Sequence, residues 1–166
     1  MILLSTGGSQ TSGWPGATDE DVLVSVTLAL GTKAVVCTLF QIPNQHIEFA
    51  NDPEHKSREE DALVAYSWLN FINHGYNSAA AKYIVNLPMA KAVSAAMTAV
   101  QQFTTKNQIA EIEDFLIAGA SKRGWTTWLS GASDKRVKAI APIVMDMLNF
   151  YKNVAHMPLA YGVSFA

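Results

Sequence analysis

Cysteine is all but absent: Cys37 is the only one in 166 residues, so no disulfide can form within the chain. Its setting in the apolar run Ala34-Val35-Val36-Cys37-Thr38-Leu39-Phe40 gives it the role of a small hydrophobe. Charge is also scarce. Lys and Arg number 12, Asp and Glu 14, and they are mixed along the chain with a net charge of −2, so no basic block offers a footprint for nucleic acid or an anionic membrane surface. No apolar run reaches the roughly 18 residues of a membrane span, and Met1-Ile2-Leu3-Leu4 has neither the length nor the basic lead-in of a signal peptide. Internal repeats, low-complexity tracts and linker-like stretches are missing too. What the chain does have is apolar material, 49% of its residues, enough for one core. The reading is a single domain over residues 1–166. Because it opens in a core strand and stops at Gly162-Val163-Ser164-Phe165-Ala166 with no closing element, it is expected to be the middle part of a longer domain.

Apolar runs alternate with helical periodicity. Ile2 to Thr6 reads as a buried strand running into a glycine-rich loop, Gly7 to Gly13. Thr18 is placed to cap a helix that starts with Asp19-Glu20-Asp21, carries the stripe Val22, Leu23, Val26, Leu30 and ends at Gly31. Lys33 to Phe40 is a second strand, followed by the longest irregular stretch, 41–56. Ser57-Arg58-Glu59-Glu60 has the form of a capping box, and Ala62, Ala65, Tyr66, Leu69 and Ile72 follow at helical spacing before Gly75. Pro88 suits the first turn of a further helix with Met89, Val93, Ala96, Val100 and Phe103 on one face. Phe115 to Ala118 is a third strand, a helix from Trp125 ends near Gly131, and Val137 to Val144 is a fourth strand. This order, β-α-β-α-α-β-α-β, predicts an α/β fold: three layers, with a mostly parallel sheet covered on both faces.

The third strand carries the chemistry. In Gly119-Ala120-Ser121-Lys122-Arg123-Gly124 the chain turns sharply from strand to helix, with Ser121 at the tip, and small residues stand where strand and helix approach. Such a serine is a nucleophile elbow when its hydroxyl is pushed out of the sheet. The usual spacing is G-x-S-x-G; here Arg123 occupies the second glycine position and Gly124 follows it. A plain glycine-rich βα turn remains open as the alternative. Phosphate binding is excluded on specifics, since neither glycine-rich loop has a Lys-Ser/Thr pair or G-x-G-x-x-G. Glu48, Asp52, Glu54 and His55 lack metal-ligand spacing and read as a solvated face. No metal or cofactor is expected. His46, His55 and His74 read as surface or cap residues, and Trp125 and Trp128 as core.

Acyl transfer needs two N–H donors for the developing oxyanion. The backbone N–H after the serine, that of Lys122, is one, and Gly8 in the turn after the first strand is the other candidate, with an ordinary βα turn as its alternative. Asp146, directly after the fourth strand, is the candidate acid that would orient a histidine base, or else a helix cap for Met147-Leu148-Asn149. His156 is the only histidine after the elbow, in a segment that encodes no turn back toward Ser121.

The runs Gly119 to Leu129 and Asp134 to Val144, with Gly7-Gly8-Ser9 and Leu39 to Gln45, resemble the PhoPQ-activated pathogenicity-related protein family, which includes the autocrine proliferation repressor of social amoebae. That resemblance covers most of the chain. It implies an α/β-hydrolase-like core, present here in part as its third to sixth strands, with strand order 2-1-3-4. Right-handed crossovers require the same order, which brings the Gly7-Gly8 loop beside Ser121. It also implies a catalytic histidine after the last strand of the longer fold, so that this chain alone would have little or no hydrolase activity. Members of the family are usually secreted or periplasmic. The elbow is also similar to that of glucuronoyl esterases, which have glycine three after the serine, and in some of them the acid stands where Asp146 does. The function implied is ester or peptide-type acyl hydrolysis by Ser121 in the intact protein, on a small-molecule or peptide substrate. A signalling or pathogenicity-related role that keeps the fold without catalysis is the alternative. An unpaired edge at the fourth strand would favour self-association.

Overall fold

A computed structural model describes residues 1–9 and 13–162. Four parallel strands, β1 (Ile2–Ser5), β2 (Val36–Leu39), β3 (Phe115–Ala120) and β4 (Val137–Ile143), form one sheet in the order β2-β1-β3-β4. The helices are α1 (Glu20–Thr32), α2 (Glu60–Asn73), α3 (Asn86–Lys106), α4 (Lys122–Ser133) and α5 (Phe150–Tyr161), with a short 3₁₀ turn, Ala80–Tyr83, ahead of α3. The fold is α/β, with the strand order that the sequence predicts. Ser5 is in register with Leu39 on one side and with Gly119 on the other, so β1 and β3 end level. From there the chain leaves in opposite directions, to β2 by way of α1 and to β4 by way of α4. A crevice opens at that switch point.

Right-handed connections put α1 on one face of the sheet and α3 with α4 on the other. The main core lies under α3 and α4. Leu3, Phe115 and Ile117 are buried there against Val93 and Met97 of α3, each contributing about 1.5–3 kcal/mol. A second cluster, Ile42, Leu63, Val85 and Met89, seats α2 and the loop after β2 on the same body.

Several local expectations fail for identifiable reasons. Asp19 caps α1 in place of Thr18: its carboxylate accepts from the N–H of Asp21 at 3.0 Å, where the helix dipole favours negative charge. The helix runs past Gly31 to Thr32, and Lys33 takes the left-handed conformation, φ 58°, that ends it. The stripe on α1 is not buried, Leu30 being 66% exposed, because α1 lies against β2 while α3 and α4 pack together on the opposite face. The α2 stripe is also misplaced. Leu63, Ser67 and Asn70 are the buried residues and Leu69 and Ile72 are half exposed, since the Ser67 hydroxyl and Asn70 amide find partners inside and need no solvent. On α3, Met89, Val93 and Met97 face inward and Phe103 does not. The strands are trimmed, β2 starting at Val36 and β4 ending at Ile143, and α4 continues through Gly131 to Ser133. Asp52 belongs to no solvated face: it is buried and ion-paired with Arg58, which lies 3.7 Å over the Tyr66 ring. The loop expected over 7–13 and the chain end at 162–166 fall partly outside the described residues.

Candidate functional site

Ser121 stands between β3 and α4 with φ 54° and ψ −121°, a conformation that a residue with a Cβ adopts only where its surroundings impose it, at a cost of about 1–3 kcal/mol. Its N–H is held by Ile143 O at 2.9 Å, and its carbonyl accepts from Trp125 N–H at 3.1 Å. The residue is exposed. The tightness that keeps it there comes from the two glycines. A Cβ on Gly119 would lie 2.6 Å from Ser5 Oγ and 2.7 Å from Arg123 O, and one on Gly124 would lie 2.7 Å from Met145 Cβ. Strand and helix therefore approach closely on both sides of the serine, as the small residues there predict.

A cavity of about 390 Å³ opens beside it at the switch point, lined in part by Thr6, Gly7, Asp21, Glu60, Ser121 and Lys122. Lys122 opens α4, so its N–H is one of those a helix leaves without an internal partner. Gly7 borders the cavity and Gly8, at φ 121°, borders the adjoining depression with Asp19, Phe40 and Gln41. No backbone hydrogen bond takes up the Gly8 N–H among the described residues.

The charged residues around the serine are tied to one another. Arg123, almost wholly buried, forks onto Glu60, with Nη1 2.9 Å from Oε2 and Nη2 2.8 Å from Oε1. Lys122 Nζ reaches Glu60 Oε2 at 2.7 Å and Asp61 Oδ1 at 2.9 Å. Gln45 closes the ring, accepting from the Glu60 N–H and donating to its Oε1. Burial acts to lower the Lys122 pKa, but the bonds to Asp61 and Glu60 outweigh it and the net shift is upward. Lys122 thus stays protonated, which rules it out as a neutral base for its neighbour.

Glu60 is the functional-looking residue that sequence reasoning misplaced. The capping box does not form: Glu59 is the N-cap without a side-chain cap bond, and Glu60 begins α2 at φ 49° with its carboxylate turned toward Arg123. Two strong charge-assisted bonds win over one local cap. The Arg123 bond holds the Glu60 carboxyl down to about 2, from an ordinary 4.5. A depressed folded-state value means that this pairing stabilises in full above pH 4.5 and is lost as pH falls toward 2. Glu60→Gln is accordingly expected to be less stable than wild type at pH 7, and the two urea-unfolding curves should converge as the buffer is taken from pH 5 to 2. A gap of equal size at both ends of that range would exclude the carboxylate as its source.

The remaining candidates lie apart. Asp146 follows β4 in an exposed turn, its Oδ1 accepting from Leu148 N–H at 3.0 Å and its Oδ2 3.4 Å from Asn153 Nδ2, while Asn149, not Asp146, precedes α5. His156 is on α5 and borders a shallow depression with Tyr151, Lys152 and Leu159. All four histidines are described, and none lines the Ser121 cavity. His46 and His55 pair with Glu59 and Glu48 on the surface, and His74 caps α2 as expected. Trp125 is half-buried and stacks on Trp68 with centroids 5.7 Å apart. Among the described residues no group of three metal-ligating side chains occurs, and no helix is long and apolar enough to cross a membrane.

The family model for PhoPQ-activated pathogenicity-related proteins matches residues 1–166. The chain belongs to that family. Autocrine proliferation repressor protein A of Dictyostelium discoideum is 46% identical to this PhoPQ-related chain over 157 residues, which cover 93% of the chain and 30% of the repressor. The PhoPQ-related chain thus spans less than a third of the curated relative it matches. No solved structure matches it.

Proposed function

We propose that Ser121 is the nucleophile of an acyl-transfer site, and that the family-length protein hydrolyses an ester or peptide-type bond on an α/β-hydrolase-like core of which residues 1–166 are the middle part. The observation that carries this reading is the backbone of Ser121: an exposed residue held at φ 54° between a buried strand and a helix, beside a cavity that it helps to line. Glycine would relieve that conformation, and a serine is kept there instead. In the reaction Ser121 Oγ attacks the acyl carbon and its proton passes to a histidine base. The oxyanion that forms is met by the N–H groups of Lys122 and Gly8, at the start of a helix that favours negative charge. Asp146, exposed at the carboxyl edge of β4, orients the base. That base is a histidine contributed by chain outside this segment, and residues 1–166 alone have little or no turnover, because a serine without its base loses several orders of magnitude in rate.

The test is covalent labelling. A family-length protein carrying this segment is treated with a fluorophosphonate probe, beside its Ser121→Ala variant and a control serine hydrolase. Labelling is expected in the wild type and absent in the variant; a wild type that stays unlabelled while the control reacts overturns the proposal. The second reading, a signalling protein that keeps the fold without the chemistry, is favoured by the absence of histidine from the cavity lining and by the relative's name as a proliferation repressor. It requires the unlabelled outcome.

A further inference from the structure

Every polar bond of the side chain two residues after Ser121 leads to a segment distant in the chain. Arg123 Nε donates to Ile42 O at 2.5 Å, Nη1 and Nη2 take both oxygens of Glu60, and Nη2 lies where a Cβ on Gly7 would come within 2.9 Å. Gly7 has no side chain, and the guanidinium fills that space. The loop that Arg123 grips is itself zipped to the turn after β1: Gln41 N–H donates to Gly7 O at 2.8 Å and Ile42 N–H to Thr6 O at 3.0 Å. One buried side chain therefore connects the Gly7-Gly8 turn, the loop after β2 and the first residue of α2 to the elbow.

Two other arginines show what a purely structural pair looks like here. Arg58 with Asp52 stiffens the loop before α2, and Arg136 with Asp134 and Ser94 joins the start of β4 to α3; neither residue lines the Ser121 cavity. Arg123 does line it, together with Glu60 and Gly7. The planar fork of arginine is what makes this linkage rigid, because its two nitrogens fix the Glu60 carboxylate in orientation as well as distance. Glu60 comes to it at positive φ, a further sign that the pairing outweighs local backbone preference.

We propose that Arg123 is a positioning residue: through Glu60, Ile42 and Gly7 it fixes the Gly7-Gly8 turn relative to Ser121, and so sets the distance between the two N–H donors of the oxyanion site. It touches no reacting atom. The catalytic meaning of this role rests on the acyl-transfer reading, whereas the mechanical role does not. It also accounts for the departure from the usual elbow spacing. A glycine two after the serine would leave the turn after β1 unsupported, and the close approach that the second glycine normally serves is met here by Gly124.

Two measurements test it. Native-state hydrogen exchange follows the amides of Gln41 and Ile42, which bond the turn after β1, in the wild type, Arg123→Lys, Arg123→Met and Glu60→Gln. Exchange at these amides is expected to rise about tenfold or more in Arg123→Met, less in Arg123→Lys, while amides of β3 and α3 keep their protection. If Arg123→Met does not fold, Glu60→Gln and Arg123→Lys carry the same comparison. The second measurement takes a family-length protein with p-nitrophenyl acetate. A misplaced donor predicts a fall in kcat of about 100-fold for Arg123→Met with KM little changed, partial rescue in Arg123→Lys and no change in Arg136→Met. Unaltered exchange at Gln41 and Ile42 in a folded Arg123 variant would overturn the proposal, as would a kcat loss no larger than that of Arg136→Met. A wild type that neither labels nor turns over defeats the acyl-transfer reading alone, and the exchange data then still decide the mechanical role.

Discussion

Gly119→Val is expected to yield no folded protein at 25 °C, and Gly119→Ala to lose at least about 3 kcal/mol of stability, a large part of the few kcal/mol that separate a domain of this size from its unfolded chain. The added methyl would meet Ser5 Oγ at 2.6 Å, Arg123 O at 2.7 Å and Arg123 Cβ at 2.8 Å. Of these only the serine hydroxyl can be removed without moving backbone. The double variant Gly119→Ala with Ser5→Ala should therefore recover part of the loss and no more, because the Arg123 carbonyl stays where the first turn of α4 holds it. Urea midpoints read by circular dichroism give the comparison. A Gly119→Ala protein within 1 kcal/mol of wild type would mean that β3 and α4 separate easily, and the tightness of the elbow would lose its meaning.

Ser121→Gly is expected to move stability and activity in opposite directions. Relief of φ 54°, ψ −121° returns about 1–3 kcal/mol, and the greater freedom of glycine in the unfolded chain takes back up to about 1, for a net gain near 1 kcal/mol. Ser121→Ala keeps a Cβ and so keeps the strain; it should match the wild type in stability. Both variants lose acyl turnover and probe labelling in a family-length protein, by several orders of magnitude. The decisive comparison is glycine against alanine at this one position, since neither has a hydroxyl. A glycine variant less stable than the alanine one would show that the conformation costs nothing, and the strongest support for the serine reading would go with it.

How far such a site is legible in sequence depends on what holds each part. β3 and the tight turn into α4 were readable because the forces are local: apolar residues, a turn, and small side chains at the points of contact. The strand order was readable from the family resemblance taken together with right-handed crossovers. Glu60 was not, since Ser57-x-x-Glu60 is a sound capping signal and only the three-dimensional arrival of Arg123 and Lys122 diverts the carboxylate from it. Asp52 was hidden in the same way, its charge suggesting solvent until Arg58 and the Tyr66 ring enclosed it. The inward face of α2 misled because Ser67 and Asn70 are polar, and hydrophobic periodicity weighs them as outward residues. α5 had no signal strong enough to set it against Pro158, which stands inside the helix.

The pairing of β1 with β3 has a consequence for synthesis. The Met1 nitrogen donates to Asp114 O, and Leu116 N–H to Met1 O, across 113 residues in the first case. As a ribosome releases this segment, β1 and β2 emerge early, while the strand that fills the centre of the sheet is still being made. Leu3 then has no Ile117 beside it and no Val93 or Met97 above it, and at roughly 5–20 residues per second that interval lasts several seconds. Two short apolar strands that cannot yet close are an opening for misassembly.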